Sequence, residues 1–289
     1  MVTFAKIIMV VHDAYATCLS CKKNSVLSDQ YHEIIRLLEA MPPITLDEMT
    51  GIKLMNRTDT KFLANKTQLM QVLALAKDDY YVQYIGDKNI AQYRTVYWDS
   101  QDYRFYNMHQ MGRRPRTKVR VRTYEDSEGL TFLEVKKKDN HGKTKKKRIQ
   151  VESQEKVFDC GGDEFVMKHT NSSLHEFHPC LQNHFHRITL VNRGKTERLT
   201  IDFDIDYTNF DTNNKANSDQ LVIIELKRDG LVFSPIKEIL MRLRIKPHGY
   251  SKYVIGSHMT NPALRHNLLK EKMHEIMRRN RAKSENFEI

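Results

Sequence analysis

The sequence predicts an α+β protein: an antiparallel β-barrel with a polar, cation-lined lumen, flanked by N- and C-terminal helices. Three observations lead there. From about residue 82 to 228 apolar residues recur with period two, the spacing of strands, whereas on either side they recur with helical spacing. Several period-two segments alternate apolar residues with charged ones instead of neutral polar ones. A sandwich would spend those charged faces on solvent, while a closed barrel turns them inward, because interior and exterior positions alternate along each strand.

The elements follow in chain order. Residues 1–27 carry no periodic pattern. Residues 28–41 read as a short amphipathic helix on Ile34, Leu37, Leu38 and Met41, stopped by Pro42-Pro43. Residues 44–64 lead to a second helix, with Asn65 as its cap, Gln68 completing a capping box, and Leu69, Val72, Leu73 and Ala76 as its apolar stripe. Strands are expected at 94–99, 117–124, 130–138, 146–151, 186–192, 199–207 and 220–227. Helices return at 234–243 and at 261–281, the latter basic outside its stripe of Leu269, Met273 and Ile276. The chain thus divides into an N-terminal extension with its short helix (1–42), a strand-rich domain (43–258) and a basic C-terminal helix (259–289).

Charge is concentrated. The chain of 289 residues has 47 Lys and Arg against 36 Asp and Glu, a net +11. Residues 113–148 alone hold 14 of those cations and 5 of the acids, so most of the excess sits in about an eighth of the chain. Lys118, Arg120 and Arg122 share one strand face, with Val119 and Val121 behind them. Glu134, Lys136 and Lys138 share the equivalent face of the next strand. Two neighbouring rows of cations form a localised field suited to a polyanion. Further on, Glu225 and Lys227 lie opposite Val222, Ile224 and Leu226, and Arg198, Thr200, Asp202, Asp204 and Asp206 are expected to share a face. The last three could form a carboxylate cluster for metal, or pair with cations of the wall, the reading preferred for Asp204 and Asp206. Nucleic acid is disfavoured as the partner, since the cationic strands lack interleaved aromatics for base stacking.

Other signals are weak. Four cysteines make no disulfide framework. Cys18 and Cys21 have the spacing of half a zinc site without a second half. No segment is long and apolar enough to span a membrane, and the expected compartment is a reducing cytoplasm. His109, His248 and Trp98 read as structural, and no Ser-His-Asp or Cys-His arrangement stands out.

Several runs resemble a known family. Arg57-Thr-Asp-Thr-Lys61-Phe62, Tyr93-Arg-Thr-Val-Tyr-Trp-Asp99, Gly112 through Arg122, Leu133-Glu-Val-Lys136, Ile223-Ile-Glu225-Leu-Lys227 and Gly249-Tyr-Ser-Lys252-Tyr253 are similar, in matching order, to the VTC domain. That is the polyphosphate polymerase domain of the vacuolar transporter chaperone complex, of the CYTH or triphosphate tunnel superfamily. The resemblance covers about residues 43–258. It implies a tunnel in which the ATP γ-phosphate passes to a growing polyphosphate chain with a divalent metal, Mn²⁺ or Mg²⁺. It further implies that Lys61, Arg120, Arg122, Lys136, Arg198 and Lys252 form the catalytic cage and that Glu225 holds the metal. Arg57, Lys118, Lys138, Lys147 and Lys227 are the further cations expected to contact substrate, with Lys143, Lys145, Lys146 and Arg148 read as a solvated hairpin.

The resemblance also has departures. Superfamily hydrolases begin with a Glu-x-Glu-x-Lys strand that binds metal, whereas Arg57-Thr-Asp-Thr-Lys61 stands here. That argues against plain triphosphate hydrolysis. The SPX sensor and membrane helices of the eukaryotic complex are not in this sequence, so coupled translocation is not expected from this polypeptide alone. The alternatives are a triphosphatase acting on inorganic triphosphate or an RNA 5′ end, and a non-catalytic polyphosphate-binding module serving a membrane-protein partner.

Overall fold

A single large sheet, mostly antiparallel, organises the molecule, and its curl brings distant strands face to face. The computed structural model describes residues 29–50, 57–141, 143–230 and 232–281. In chain order the elements are α1 (residues 29–39), β1 (Pro43–Ile44), α2 (Leu46–Thr50), β2 (Arg57–Asn65), α3 (Lys66–Ala76), β3 (Tyr80–Gln83), β4 (Ala91–Asp99), α4 (Arg104–Gln110), β5 (Arg116–Tyr124), β6 (Leu130–Lys138) and β7 (Thr144–Val151). There follow α5 (Gly162–Thr170), β8 (His178–Asn192), β9 (Glu197–Asn209), β10 (Lys215–Ser218), β11 (Leu221–Asp229), α6 (Pro235–Arg242), α7 (Lys252–Thr260) and α8 (Lys270–Asn280). Residues 1–28, with the Cys18–Cys21 pair, lie outside the described residues. Among the described residues no helix is long and apolar enough to cross a membrane.

The strand order is β2-β11-β9-β8-β4-β5-β6-β7, with β1, β3 and β10 added at the side. The α+β class holds, but the expected closed barrel is an open, curled sheet, since the end strands β2 and β7 do not pair. The free edge of β2 is met by another segment. Phe62 bridges to Pro247, and the His248 backbone N–H donates to the Lys61 carbonyl at 2.8 Å. Proline has no N–H to continue a ladder, so the pairing stops there. β7, for its part, is exposed along most of its length and thick with cations.

Two apolar layers fix which face is which. On the convex side Phe62, Ala64, Leu199, Ile201, Val222 and Ile224 pack against Ile34 and Leu38 of α1, Leu69 and Leu73 of α3, and Ile236 and Leu240 of α6. Elsewhere Val119, Val121, Leu133 and Val135 pack on Val166 of α5, while Leu63 and Ile223 join Val254, Ile255, Leu269 and Ile276 of the C-terminal helices. Burial of this kind is worth roughly 25 cal/mol per Å² of apolar surface. Phe62, Val222, Val119 and Leu133 hold charged faces in place on the opposite side of their strands, whereas Leu63 and Ile223 share the face of Lys61 and Glu225.

One local expectation is met in detail and three are revised. Asn65 caps α3, its side chain accepting from Gln68 N at 2.8 Å while Gln68 Oε1 accepts from Asn65 N at 3.2 Å. The helix expected over 261–281 begins late, as a 3-10 turn at Asn267–Leu269 followed by α8, and α7 stands before it where no helix is expected. Asn261 precedes Pro262 and takes an extended conformation that ends α7. β2 was expected only as a lead-in, since Arg57 to Lys61 shows no apolar alternation. The alternation of β9 also breaks, at Asp204. That residue has φ 48° and sits where the β8–β9 register shifts between His184 and His186. An extra residue of this kind flips every later side chain to the other face.

Candidate functional site

The concave side of the sheet is a trough walled by charge. Pairing register builds it directly. Lys118 on β5 stands opposite Lys136 on β6, and Lys136 stands opposite Lys146 on β7. Like charges directly across a strand pair are destabilising, and of this rung only Lys146 is paired with a carboxylate, Glu134, among the described residues. From the far side of the curl, β2 and β11 contribute Lys61 opposite Glu225 and Asp59 opposite Lys227. β9 adds Arg198 opposite Lys227.

These groups open onto a cavity of about 570 Å³ lined by Asp59, Lys61, Arg116, Lys118, Lys136 and Lys138, with Lys272 of α8 at its rim. Its remaining wall is helix and loop: His109 and Gln110 from α4, Pro247 to Ser251, and Val254, Ile255 and Leu269. Lys61 Nζ donates to the Tyr250 carbonyl at 3.0 Å, and Lys118 Nζ donates to Ser251 Oγ at 3.0 Å. Among the described residues none bonds the Lys136 ammonium. Burial and the neighbouring Arg120 push its pKa down to about 8. Burial, with Lys61 and Lys136 close by, also takes Lys118 well below the ordinary lysine value.

Deeper in the trough the cations hold carboxylates. Arg120 bonds Glu134 Oε2 through Nε at 2.8 Å and Nη2 at 2.6 Å, and Lys146 reaches Oε1 of the same buried carboxylate at 2.8 Å. Burial opposes ionisation of Glu134, but Arg120 and Arg122 outweigh it and hold the group far below the usual carboxylate range. Arg122 bonds Thr95 Oγ1 at 3.2 Å and lies over the Tyr93 ring. Beside it Arg187 grips Asp202 with both arms of its fork, Nε–Oδ1 at 2.6 Å and Nη2–Oδ2 at 2.8 Å. Lys252, the first residue of α7, bonds Asp202 as well and sits 3.9 Å from the centre of the Phe185 ring. Burial lowers the Lys252 ammonium to about 7 against the pull of Asp202. Asp202 is already neutralised by Arg187, so Lys252 is the labile partner of the three. Glu225 lies 3.2 Å from Lys227, and Lys227, Lys61 and Arg187 hold its pKa low despite burial.

The helices are aimed by one buried carboxylate. Asp99, at the end of β4, accepts from Phe105 N and Tyr106 N at 2.9 Å each and so caps α4, which carries His109. Tyr253, next to Lys252, donates its hydroxyl to the same carboxylate. Asp99 thereby ties together two of the helices around the trough.

The sequence-derived residues divide plainly. Lys61, Lys118, Lys136 and Lys138 are brought together at the cavity; Arg120, Arg122, Arg198, Glu225, Lys227 and Lys252 share the trough face. Arg57 opens β2 opposite Asp229, and its side chain lies outside the described residues. Lys147 is on the other face: it stands opposite Val135, exposed to solvent, whereas its neighbour Lys146 turns toward Glu134. Asp204, past the break in β9, pairs with Lys66 at 2.5 Å and His186 at 3.4 Å outside the trough. Asp206 follows it, exposed and away from Asp202. Among the described residues no three His, Cys, Asp or Glu side chains gather as a metal cage. Lys146, expected in a solvated hairpin, turns to the trough instead, and Arg187 is a trough residue not among the expected ones; strand parity places both once the pairing partners are known. His109, read as structural, lines the cavity.

With this geometry established, comparison with known proteins places the chain. A family model described as the VTC domain matches residues 56–261. The chain belongs to the VTC-domain family. No functionally curated protein matches it. Among solved structures, this VTC domain is similar to PH1819 from Pyrococcus horikoshii OT3, at 14% identity and a TM-score of 0.43, covering 70% of this chain and 98% of that one. It is similar to the bh2851 protein of Bacillus halodurans at 12% identity and 0.43, covering 68% and 96%. A third is HpAC1 from Hippeastrum, reported to have a dominant triphosphatase activity, at 13% identity and 0.45, covering 71% and 97%.

Proposed function

We propose that this VTC domain is an ATP-dependent polyphosphate polymerase. The observation that carries the reading is the register rung Lys118–Lys136–Lys146, facing Lys61 across the trough. It is a linear array of cations with too few carboxylates to neutralise it, matched to a linear polyanion.

Phosphoryl transfer asks the protein for in-line positioning and charge neutralisation more than for covalent chemistry. Arg120 and Arg122 present planar forks that can grip phosphate oxygens, while Lys61, Lys136 and Lys252 act as point charges. Lys252 and Lys136 have pKa values lowered to about 7 and about 8, and an anion raises both, so the cage gains positive charge as it is filled.

A metal would be held by Glu225. A lone carboxylate among Lys61, Lys227 and Lys136 cannot keep a divalent cation by itself, but it fits one that arrives with nucleotide and completes its shell with phosphate oxygens. When bound there, Mn²⁺ or Mg²⁺ would neutralise charge on the phosphoryl group in transfer. Arg57-Thr-Asp-Thr-Lys61 offers one carboxylate, Asp59, where hydrolysis would draw on more, and this favours transfer to a phosphate chain over transfer to water.

The test is incubation with γ-³²P-ATP and Mn²⁺, with and without a short polyphosphate primer, resolved on a gel. The expected result is a ladder removed by a polyphosphate-specific exopolyphosphatase and lost in Glu225→Gln. Free phosphate as the sole product would make the protein a triphosphatase. Absence of turnover alongside tight, salt-sensitive polyphosphate binding would make it a binding module.

A further inference from the structure

The family match ends at residue 261, yet the cavity wall does not. Leu269 and Lys272 line it from the segment that opens α8. The phase of this helix is fixed by packing. Leu269 and Ile276 are buried in the core with Leu63 and Ile223, and Lys272, spaced three and four residues from them, falls on the same side. A solvated helix would keep a lysine off that stripe.

Lys272 also lacks an internal reason to be there. It makes no ion pair with a described residue, and the nearby carboxylate of its own helix, Glu275, is already bonded by Arg278 and Arg279. Its surroundings are mostly cationic or neutral: Arg116, Lys118 and Lys138 line the same cavity with His109 and His248, and Asp59 is the one carboxylate among the described lining residues. Burial, then Lys118, Arg116 and Lys272, lowers His109 to about 2, so the imidazole stays neutral and can hydrogen-bond without adding charge. The helix itself is anchored, since Asn280 Oδ1 accepts from Gln220 N at 3.0 Å and Arg279 bonds Gln68 at 2.8 Å. A fixed helix thus holds an unpaired ammonium at the rim of a cavity already lined by cations.

The structure assigns Lys272 to substrate binding: it contacts the stretch of a linear polyphosphate that extends past Lys61, Lys118 and Lys136 to the cavity mouth. With Arg116 and Lys138 it forms an outer set of contacts that a triphosphate seated in the deep cage does not reach. α8 therefore favours long chains over short ones. This rests on the polyphosphate reading above and names the residue through which chain length is sensed.

The experiment is calorimetric titration of metal-free protein with tripolyphosphate and, separately, with long-chain polyphosphate, so that no turnover is needed. Lys272→Gln is expected to weaken long-chain binding about three- to fivefold, the weight of one partly exposed charge contact, and to leave tripolyphosphate affinity unchanged. Lys272→Arg should restore it. Lys270→Gln, which removes an equal charge from a residue outside the cavity lining, should alter neither ligand. Equal losses for both ligands, the same loss in Lys270→Gln, or no loss in Lys272→Gln would each overturn the assignment. Wild-type protein that binds neither polymer nor triphosphate would instead overturn the polyphosphate reading on which it stands.

Discussion

Replacing Glu134 with Gln separates the two roles of the trough, folding and anion capture. Glu134 is fully buried and accepts from Arg120, itself only 15% exposed, and from Lys146, which is 43% exposed. Removing one partner of a buried, bonded pair costs about 3–5 kcal/mol. Lys146 can rehydrate and the amide oxygen still accepts one bond, so the lower figure of about 3 kcal/mol applies here. At about 2–4 °C per kcal/mol for a protein of this size, the melting temperature should fall by about 6–12 °C. The sign on binding is the opposite. Glu134 competes with phosphate for the Arg120 fork, so Glu134→Gln should bind tripolyphosphate at least as tightly as wild type and be stabilised more by it. The acid limb offers a second readout. A carboxylate held below its unfolded value contributes stability above that value and loses it as pH falls toward the folded one, so the variant should show a shallower acid limb. Thermal unfolding with and without tripolyphosphate, plus titration calorimetry, measures all three. A variant that melts with wild type, or that loses affinity as Arg120→Ala does, would refute the reasoning.

Other expectations follow from the same geometry. Between about pH 7 and 9, Lys252 and Lys136 lose their protons in the free protein before the unfolded chain does. The unfolded state then binds more protons, so stability should rise with pH across that window while tripolyphosphate affinity falls, as melting and calorimetry against pH would show. Gly256→Ala should cost about 1–3 kcal/mol by overpacking, since an added Cβ would lie 2.3 Å from Tyr207 Cδ1 and 2.9 Å from Leu181 Cδ2; displacement of α7 should also weaken phosphate binding through Lys252. Lys147→Gln should leave tripolyphosphate affinity within about twofold of wild type, because an exposed charge off the trough face contributes little, whereas Lys146→Gln should change it measurably.

What the sequence made legible was parity. Lys118, Arg120 and Arg122 can be placed on one face, and Val119 and Val121 on the other, from strand alternation alone, and the capping box at Asn65 is a local pattern with a local partner. Partnership across strands is a long-range matter. Arg187 becomes a trough residue only once β8 lies beside β9 and meets Asp202, and no spacing within either segment announces that. The error over Lys146 and Lys147 is of another kind, for Ile149 and buried Val151 share the face of Lys147, so parity within the strand already leaves Lys146 on the charged side. Asp204 was misplaced because its break in alternation depends on a left-handed backbone conformation at a non-glycine residue. Parity puts Arg120 on the charged face but does not show its bond to buried Glu134, through which it also supports the fold.

The edge of β2, bridged by Pro247 and His248 rather than by β7, has a consequence for how occupancy and architecture are linked. Where a ladder of backbone bonds would have sealed the ring, the seam is latched partly by Lys61 on the Tyr250 carbonyl and Lys118 on Ser251. Each latch uses one of the three protons of an ammonium group whose side chain also lines the cavity. An anion bound as proposed would share these two lysines with the seam. Occupancy of the trough and closure of its wall are in that sense coupled through the same side chains.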